Sequence, residues 1–293
     1  MILILGAGGQ VSSALKDLLG DAAIVWGREQ IDFENLSTFR EKILKLKPTV
    51  VINAAAYTKV DKAEVEEALA FKVNAESPFA IAQACYQIGA VFLTYSTDYV
   101  YSGEGTSAWK ESDPVAPKNA YGRSKAAGES LIFEWAPQDF KYLIIRTSWV
   151  FSFIGQNFVR TMLRLGGECE VLKVVADQIG APTYAPHLAE ITLELLTKLK
   201  SGLTKSGIYN ASNSGETSWF GFAQEIFLEA AKLQMPLKVK KVDEIASSSY
   251  PTPAKRPQNS RLCQDKLVSV LGHQSPHWKV GLQQCLWQIK SSK

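Results

Sequence analysis

The chain has 293 residues, of which 46% are hydrophobic and 21% charged. That balance fits one large α/β domain or two modest ones with a substantial core, and it excludes intrinsic disorder for the bulk of the chain. Lys and Arg number 32 against 29 Asp and Glu, a formal charge of only +3, so a dedicated nucleic-acid binder is not expected. The densest basic run, Lys238, Lys240 and Lys241, reads as a solvated strand edge. The four cysteines, Cys85, Cys169, Cys263 and Cys285, form no C-x-x-C pair. His273 and His277 stand four apart, but Pro276 between them argues against the regular helix that would bring them together, so no metal site is expected. The apolar start runs straight into glycines without a basic segment before it, and no apolar run approaches the ~20 residues of a membrane span. The expectation is a soluble protein of the cytoplasm.

In chain order, strands are expected at Ile2–Leu5, Ala23–Trp26 and Val50–Asn53, and over residues 91–95, 142–145 and 171–175. Helices are expected over residues 10–19, from a Ser37 cap to about Lys47, and over 75–88 and 121–135. Further along they are expected over 157–165, 186–200 and 218–232. Residues 247–257 carry Pro251, Pro253 and Pro257 and read as an extended arm. Strands alternating with helices, and apolar throughout, mean a parallel sheet covered on both faces. The expected fold is therefore α/β, a Rossmann-type doubly wound parallel sheet in residues 1–150. A smaller C-terminal substrate-binding domain is expected in 151–293, with some of its segments returning to the sheet. Such sheets bind ligands beyond the carboxyl ends of their strands.

Gly6-Ala7-Gly8-Gly9-Gln10-Val11-Ser12 links the first strand to the first helix. Glycines there permit positive φ and close approach, and a helix N-terminus offers free N–H groups to a pyrophosphate. The position where a third glycine usually packs helix on strand is Ser12, the next smallest option. After the second strand an acid would select NAD; Trp26-Gly27-Arg28 stands there instead. Arg28 either pairs with the 2′-phosphate of NADP or is an ordinary surface arginine; on balance NADPH is favoured over NADH. Asp32 and Phe33 either flank the adenine or are a loop acid and a core aromatic.

Tyr121-Gly122-Arg123-Ser124-Lys125 is the most informative stretch. Tyrosine and lysine four apart share a helix face, and an ammonium beside a phenol favours the phenolate and lowers its pKa. Lys125 can also hold the nicotinamide ribose. Ser96-Thr97-Asp98-Tyr99 closes the fourth strand where a hydroxyl is needed to orient a reacting oxygen.

Together these stretches resemble the extended, sugar-nucleotide-modifying branch of the short-chain dehydrogenase/reductases, and within it the dTDP-4-dehydrorhamnose reductase family. Also carrying the resemblance are residues 51–58 and 60–64, Arg146-Thr147-Ser148-Trp149-Val150, Asn157-Phe158-Val159, Asp177 to Thr183 and Arg256-Pro257-Gln258-Asn259-Ser260-Arg261-Leu262. They span nearly the whole chain in order. The resemblance implies reduction of the C4 keto group of a dTDP-linked 4-keto-6-deoxy sugar by NADPH. Tyr121 would be the proton donor, Lys125 its tuning partner and ribose ligand, and Thr97 the ligand of the reacting oxygen. It further implies cofactor contacts from Gly6, Gly9, Gln10, Val11, Asp32, Phe33 and the Ala55-Ala56-Tyr57-Thr58 turn, and sugar-nucleotide contacts from Asp98, Tyr99 and Trp149. Some family members hold Mg²⁺ at a dimer interface with a glutamate on the first helix; Ala14 stands there. That metal site is not expected, and a homodimer is left open. Two other readings remain at this point. A non-catalytic NADP-binding subunit would not need the complete Thr97, Tyr121 and Lys125 set. An epimerase or dehydratase would retain its cofactor through turnover, and dehydratases typically carry Asp-Glu after the threonine where this chain has Asp98-Tyr99.

Overall fold

The structure, a computed structural model, describes residues 1–33 and 36–292. Its core is a six-stranded parallel sheet in the order β2-β1-β3-β4-β5-β10. The strands are β1 (Ile2–Leu5), β2 (Ala23–Trp26), β3 (Val50–Asn53), β4 (Val91–Thr97), β5 (Tyr142–Thr147) and β10 (Gly207–Asn210). The remaining strands are β6 (Val150–Phe151), β7 (Val171–Val175), β8 (Ile179–Gly180), β9 (Thr183–Tyr184), β11 (Thr217–Ser218), β12 (Lys241–Ile245) and β13 (Asn259–Ser260). The helices are α1 (Gln10–Leu19), α2 (Leu36–Leu46), α3 (Val60–Ala63), α4 (Glu67–Phe71), α5 (Ser77–Gln87) and α6 (Ala120–Trp135). They continue with α7 (Phe158–Glu168), α8 (Ala185–Lys200), α9 (Trp219–Lys232), α10 (Asp265–Leu271) and α11 (Trp278–Ser291).

Alternation along each strand feeds two separate cores, as period-2 side-chain geometry requires. Ile4, Ile52, Leu93 and Ile145 meet Leu15 of α1 and Leu188 and Leu195 of α8 on one face. Leu3, Val51, Phe92 and Ile144 meet Ile43 of α2, Ile81 of α5 and Ile132 of α6 on the other. This is the doubly wound arrangement expected from the apolar strands. Residues 185–210 return to this unit, with α8 packed on α1 and β10 paired to β5. A third core, around Phe151, Phe222, Ile226, Trp278 and Leu286, joins α7, α9 and α11.

Several element ends differ from expectation for local reasons. Ser37 falls inside α2, which already begins at Leu36, so it is not that helix's cap; its side chain lies outside the described residues. Asn119, Asn157 and Ser218 instead cap α6, α7 and α9, each accepting a backbone N–H three residues on. The helix expected to start at residue 75 begins earlier, as α4, and passes through a π-turn at Lys72–Glu76 into α5. Lys241 opens β12, which pairs with β7 alone. His277 caps α11 and His273 meets Glu194, so the two histidines serve different partners.

Candidate active site

The chain reverses direction across the sheet between β1 and β3, and the crevice at their carboxyl ends is the place where such sheets take ligands. The glycine turn sits there. Gly6 has φ +108°, and a Cβ on it would lie 2.9 Å from Ala55 N. Only glycine lets the turn after β1 nest against the Ala54-Ala55 backbone leaving β3. Gly8, at φ +79°, faces open space. Ser12 fills the usual third-glycine position by bonding inward, its hydroxyl donating to Gly6 O at 2.5 Å and Gly9 O at 3.0 Å. The N-terminus of α1 has no side-chain cap, so its first N–H groups face the turn without a side-chain partner. Gln10 is turned across to the second half of the chain, where its amide oxygen accepts from Asn157 Nδ2 at 2.9 Å.

Beyond β2, Arg28 is exposed. Asp32 is exposed, and Phe33 is half-buried, 5.7 Å from the Phe39 ring. Ala55, Ala56 and Tyr57 are half-buried after β3, with Thr58 exposed. That turn is held by Asn74, whose side chain accepts from Tyr57 N at 2.8 Å and donates to Tyr57 O at 3.0 Å. Asn74 also donates to Ser124 Oγ at 3.0 Å, and Ser124 donates to Tyr121 O at 2.8 Å. One buried asparagine therefore ties the turn after β3 to the helix bearing Tyr121 and Lys125.

Thr97 ends β4 and caps the short 3₁₀ turn Asp98–Val100. Its hydroxyl accepts from Tyr99 N at 3.2 Å and donates to Asp98 Oδ1 at 3.0 Å. Helix α6 seats directly on this turn: a Cβ on Gly122 would lie 2.3 Å from Tyr99 O. The glycine following Tyr121 is thus what lets the helix come close to the turn that ends β4. The Tyr99 and Tyr121 rings meet edge-on at 5.5 Å. Lys125 is 6% exposed, and its Nζ donates to Tyr95 O at 2.9 Å.

The electrostatics differ in one respect from the sequence expectation. Burial pushes the Tyr121 hydroxyl well above its ordinary range, and the bond to Thr97 only partly offsets this. Lys125 does not lower it in this state, because burial also drains the ammonium of its charge preference, bringing Lys125 down to about 8. Asp98 is pushed up to about 6 by burial. Its Oδ2, with Ser96 Oγ, Thr147 Oγ1 and Ser260 Oγ, is a buried polar atom without a completed hydrogen bond.

Trp149 follows β5 with φ +49°. Its indole lies flat on Trp219, centroids 3.6 Å apart and planes at 11°. Gly180 makes room beneath it, since a Cβ there would fall 2.7 Å from the indole. Tyr99 meets Arg256 of the Pro-rich arm at 3.4 Å, and Arg256 pairs with Asp61 at 2.8 Å. A groove of about 870 Å³ along α1, α9 and α11, lined by Leu18, Phe153 and Trp287 among others, contains none of these residues.

These residues fit a dinucleotide: an uncapped helix N-terminus, a glycine turn open at Gly8, and a buried lysine with one of its three donors engaged. A family model described as the RmlD substrate binding domain matches residues 1–291. The dTDP-4-dehydrorhamnose reductase of Escherichia coli K12 is 42% identical over 88% of this chain and 85% of that protein. The Burkholderia thailandensis one is 40% identical over 99% of each. The chain belongs to the dTDP-4-dehydrorhamnose reductase family. The Bacillus anthracis reductase of that family, crystallised in complex with NADP, superposes with a TM-score of 0.89 at 36% identity over 98% of both chains. A Thermus thermophilus UDP-glucose 4-epimerase in complex with NAD, 19% identical with a TM-score of 0.81 over 100% of this chain and 99% of that one, shares the fold.

Against this family background, the sequence reading missed several residues that shape the site. Asn74, Glu129 and Trp219 carry no local signal, being ordinary residue types within helices. Asp61, Arg256 and Ser260 lay inside stretches that resembled the family but received no role. No helix among the described residues is long and apolar enough to cross a membrane.

Proposed function

We propose that the protein reduces the C4 keto group of dTDP-4-dehydro-L-rhamnose with NADPH, giving dTDP-L-rhamnose. What supports this is Thr97 at the end of β4, with Tyr121 and Lys125 one turn apart on the helix that seats on the turn after it, in a chain matched to the family over residues 1–291. In the proposed division of labour residues 1–150 hold the cofactor, and 151–293 hold most of the substrate while returning α8 and β10 to the sheet. The α1 N-terminus and the glycine turn would hold the pyrophosphate, Arg28 the 2′-phosphate, and Lys125 the ribose hydroxyls. When bound, NADPH supplies the hydride that reaches C4.

The protein's own task is to meet the negative charge that develops on the C4 oxygen. Thr97 and Tyr121 place two hydroxyls at one point, and Tyr121 donates its proton there. A tyrosine raised by burial enters the reaction fully protonated, as a reduction requires. Transfer of that proton to the C4 oxyanion completes the reduction. The Tyr121 phenolate left behind is stabilised by the Thr97 hydroxyl and the Lys125 charge until solvent returns the proton. Asp98 and Tyr99 would hold the sugar hydroxyls, and the Trp149 indole, backed by Trp219, would offer a flat apolar face to the sugar ring.

The test is incubation with dTDP-4-dehydro-L-rhamnose and NADPH while following loss of reduced-nicotinamide absorbance. One NADPH consumed per dTDP-L-rhamnose formed is expected. Binding of NADPH without its consumption would refute the reading in favour of a non-catalytic NADP-binding role. Tyr121→Phe should lower kcat by about 100-fold or more with NADPH affinity unchanged.

A further inference from the structure

Along the α6 face that carries Tyr121, two further charged side chains are buried, and a third reaches one of them from β5. Lys125 and Glu129 stand four apart on α6, so their side chains lie on one face of the helix. They are 6% and 5% exposed. Arg146 reaches them from β5 and is 1% exposed. Its Nε donates to both Glu129 oxygens, at 2.9 and 3.1 Å, and a terminal nitrogen closes a bidentate pair. The other terminal nitrogen donates to the Tyr101 hydroxyl at 2.7 Å, and the guanidinium carbon lies 4.9 Å from the Tyr101 ring centre. In the sheet, Arg146 stands opposite Ser96, the neighbour of Tyr95, whose carbonyl accepts from Lys125. The carboxylate held by Arg146 therefore lies one helical turn from the buried Lys125.

The remaining ionisable groups packed against α6 are committed elsewhere or lie further along it. Asp98 and Tyr99, beyond β4, act on Tyr121. Glu64 accepts from Ala120 N, and Glu67 pairs with Arg123. On the π-turn, Lys72 is half-buried and Glu76 exposed. Glu129 is the carboxylate that acts on the Lys125 charge. A buried Arg–Glu pair is poor evidence for stability, since apolar residues of similar volume commonly serve as well. Its position one helical turn below the lysine points to a different use.

We propose that the Arg146–Glu129 pair is a positioning element for Lys125: Glu129 is the counter-charge that keeps the Lys125 ammonium charged inside the protein, and Arg146 sets how much of that carboxylate Lys125 feels. The inference rests on the role given to Lys125 in the proposed function. It predicts opposite effects from the two halves of one ion pair. In Glu129→Gln, Lys125 faces an unpaired guanidinium and loses its proton at lower pH. In Arg146→Met, it faces an uncompensated carboxylate and holds its proton to higher pH.

The experiment titrates the Lys125 side chain by NMR in protein labelled at lysine, without substrate, and separately records kcat against pH for each variant. The Lys125 midpoint and the alkaline limb of kcat are expected to move down by about one pH unit in E129Q and up in R146M. The E129Q shift corresponds to about fivefold lower kcat near pH 8, approaching tenfold above pH 9, with little change near pH 6. The double variant E129Q/R146M removes both halves of the Arg–Glu pair together, so it leaves no unpaired guanidinium or carboxylate and keeps the test open where a single variant does not fold. Its midpoint should fall between those of the wild type and E129Q. Midpoints that stay fixed, or that move in the same direction in both single variants, would overturn the coupling. Midpoints that move as expected while the kcat limb stays put would overturn the catalytic role of Lys125 instead.

Discussion

Replacing Lys125 by Met should make the protein more stable and inactive at once. The ammonium is buried, and its pKa falls from the ordinary 10.5 to about 8. At ~1.4 kcal/mol per pH unit of displacement, holding the charge in that pocket costs about 3 kcal/mol at neutral pH. Met fills nearly the same volume without the charge. It gives up the hydrogen bond to Tyr95 O, worth about 1 kcal/mol. The net expectation is a gain of about 2 kcal/mol at pH 7, or a rise in Tm of about 5 °C for a chain of this size. The sign of the pH dependence is fixed by the direction of the displacement. Between pH 8 and 10.5 the unfolded chain binds more protons at this residue than the folded one, so wild-type stability rises with pH there relative to the variant. The advantage of Met should shrink across that window and reverse above it, where only the lost hydrogen bond of about 1 kcal/mol remains. Denaturant unfolding of both proteins at pH 7 and pH 10 measures this, with turnover recorded in parallel. A variant less stable than wild type by the same amount at both pH values would refute the reasoning, because the lysine would then be a net stabilising contact and not a charge held at a cost.

Other expectations follow from single geometric facts. Arg28→Ala should weaken NADPH by about tenfold and leave NADH unchanged, measured by fluorescence titration, because only a 2′-phosphate engages the guanidinium; equal losses would remove Arg28 from the 2′-phosphate. Gly6→Ala places a Cβ 2.9 Å from Ala55 N at φ +108°, so it should cost about 2 kcal/mol or more in stability and weaken NADPH, seen by thermal unfolding with and without cofactor. Asp98 is pushed up to about 6, so as pH falls through 6 its carboxylate gains a proton, loses its charge and turns one of its two acceptor oxygens into a donor. KM for the sugar nucleotide should rise there in the wild type, and Asp98→Asn should show no step.

The first half of the fold was legible because its signals are local. Apolar strands of four to seven residues, a glycine turn at the first crossover and a Tyr-x-x-x-Lys helix all lie in short windows, and the sheet order follows from them with few alternatives. The candidate residues in that half rest on the same local signals: Thr97 sits at a strand end, and Tyr121 and Lys125 lie on one helix face that spacing alone defines. The second half is different. Strands β6, β8, β9, β11 and β13 have two residues each, too short to carry a period of two. They exist because Trp149, Gly180 and Ser260 come together from positions up to 111 apart in the chain (260 − 149). β10 was missed although it completes the main sheet, because Gly207-Ile208-Tyr209-Asn210 is short and begins on a glycine at φ +137°.

The misjudged electrostatics have the same origin. Spacing on α6 correctly puts Lys125 beside Tyr121, and in water an ammonium there would lower the phenol. What spacing does not carry is depth. Once both groups are buried, desolvation acts on each separately, raising the tyrosine and lowering the lysine. For a reductase this is the useful direction. A tyrosine that keeps its proton until an oxyanion forms beside it is a better donor than one already half ionised. A lysine balanced near pH 8 can still be charged when the phenolate needs it. That balance depends on which carboxylate lies beneath the lysine and what else that carboxylate holds. Glu129 shares its helix, but Arg146 arrives from a strand 17 residues later, a contact that only the packed sheet creates.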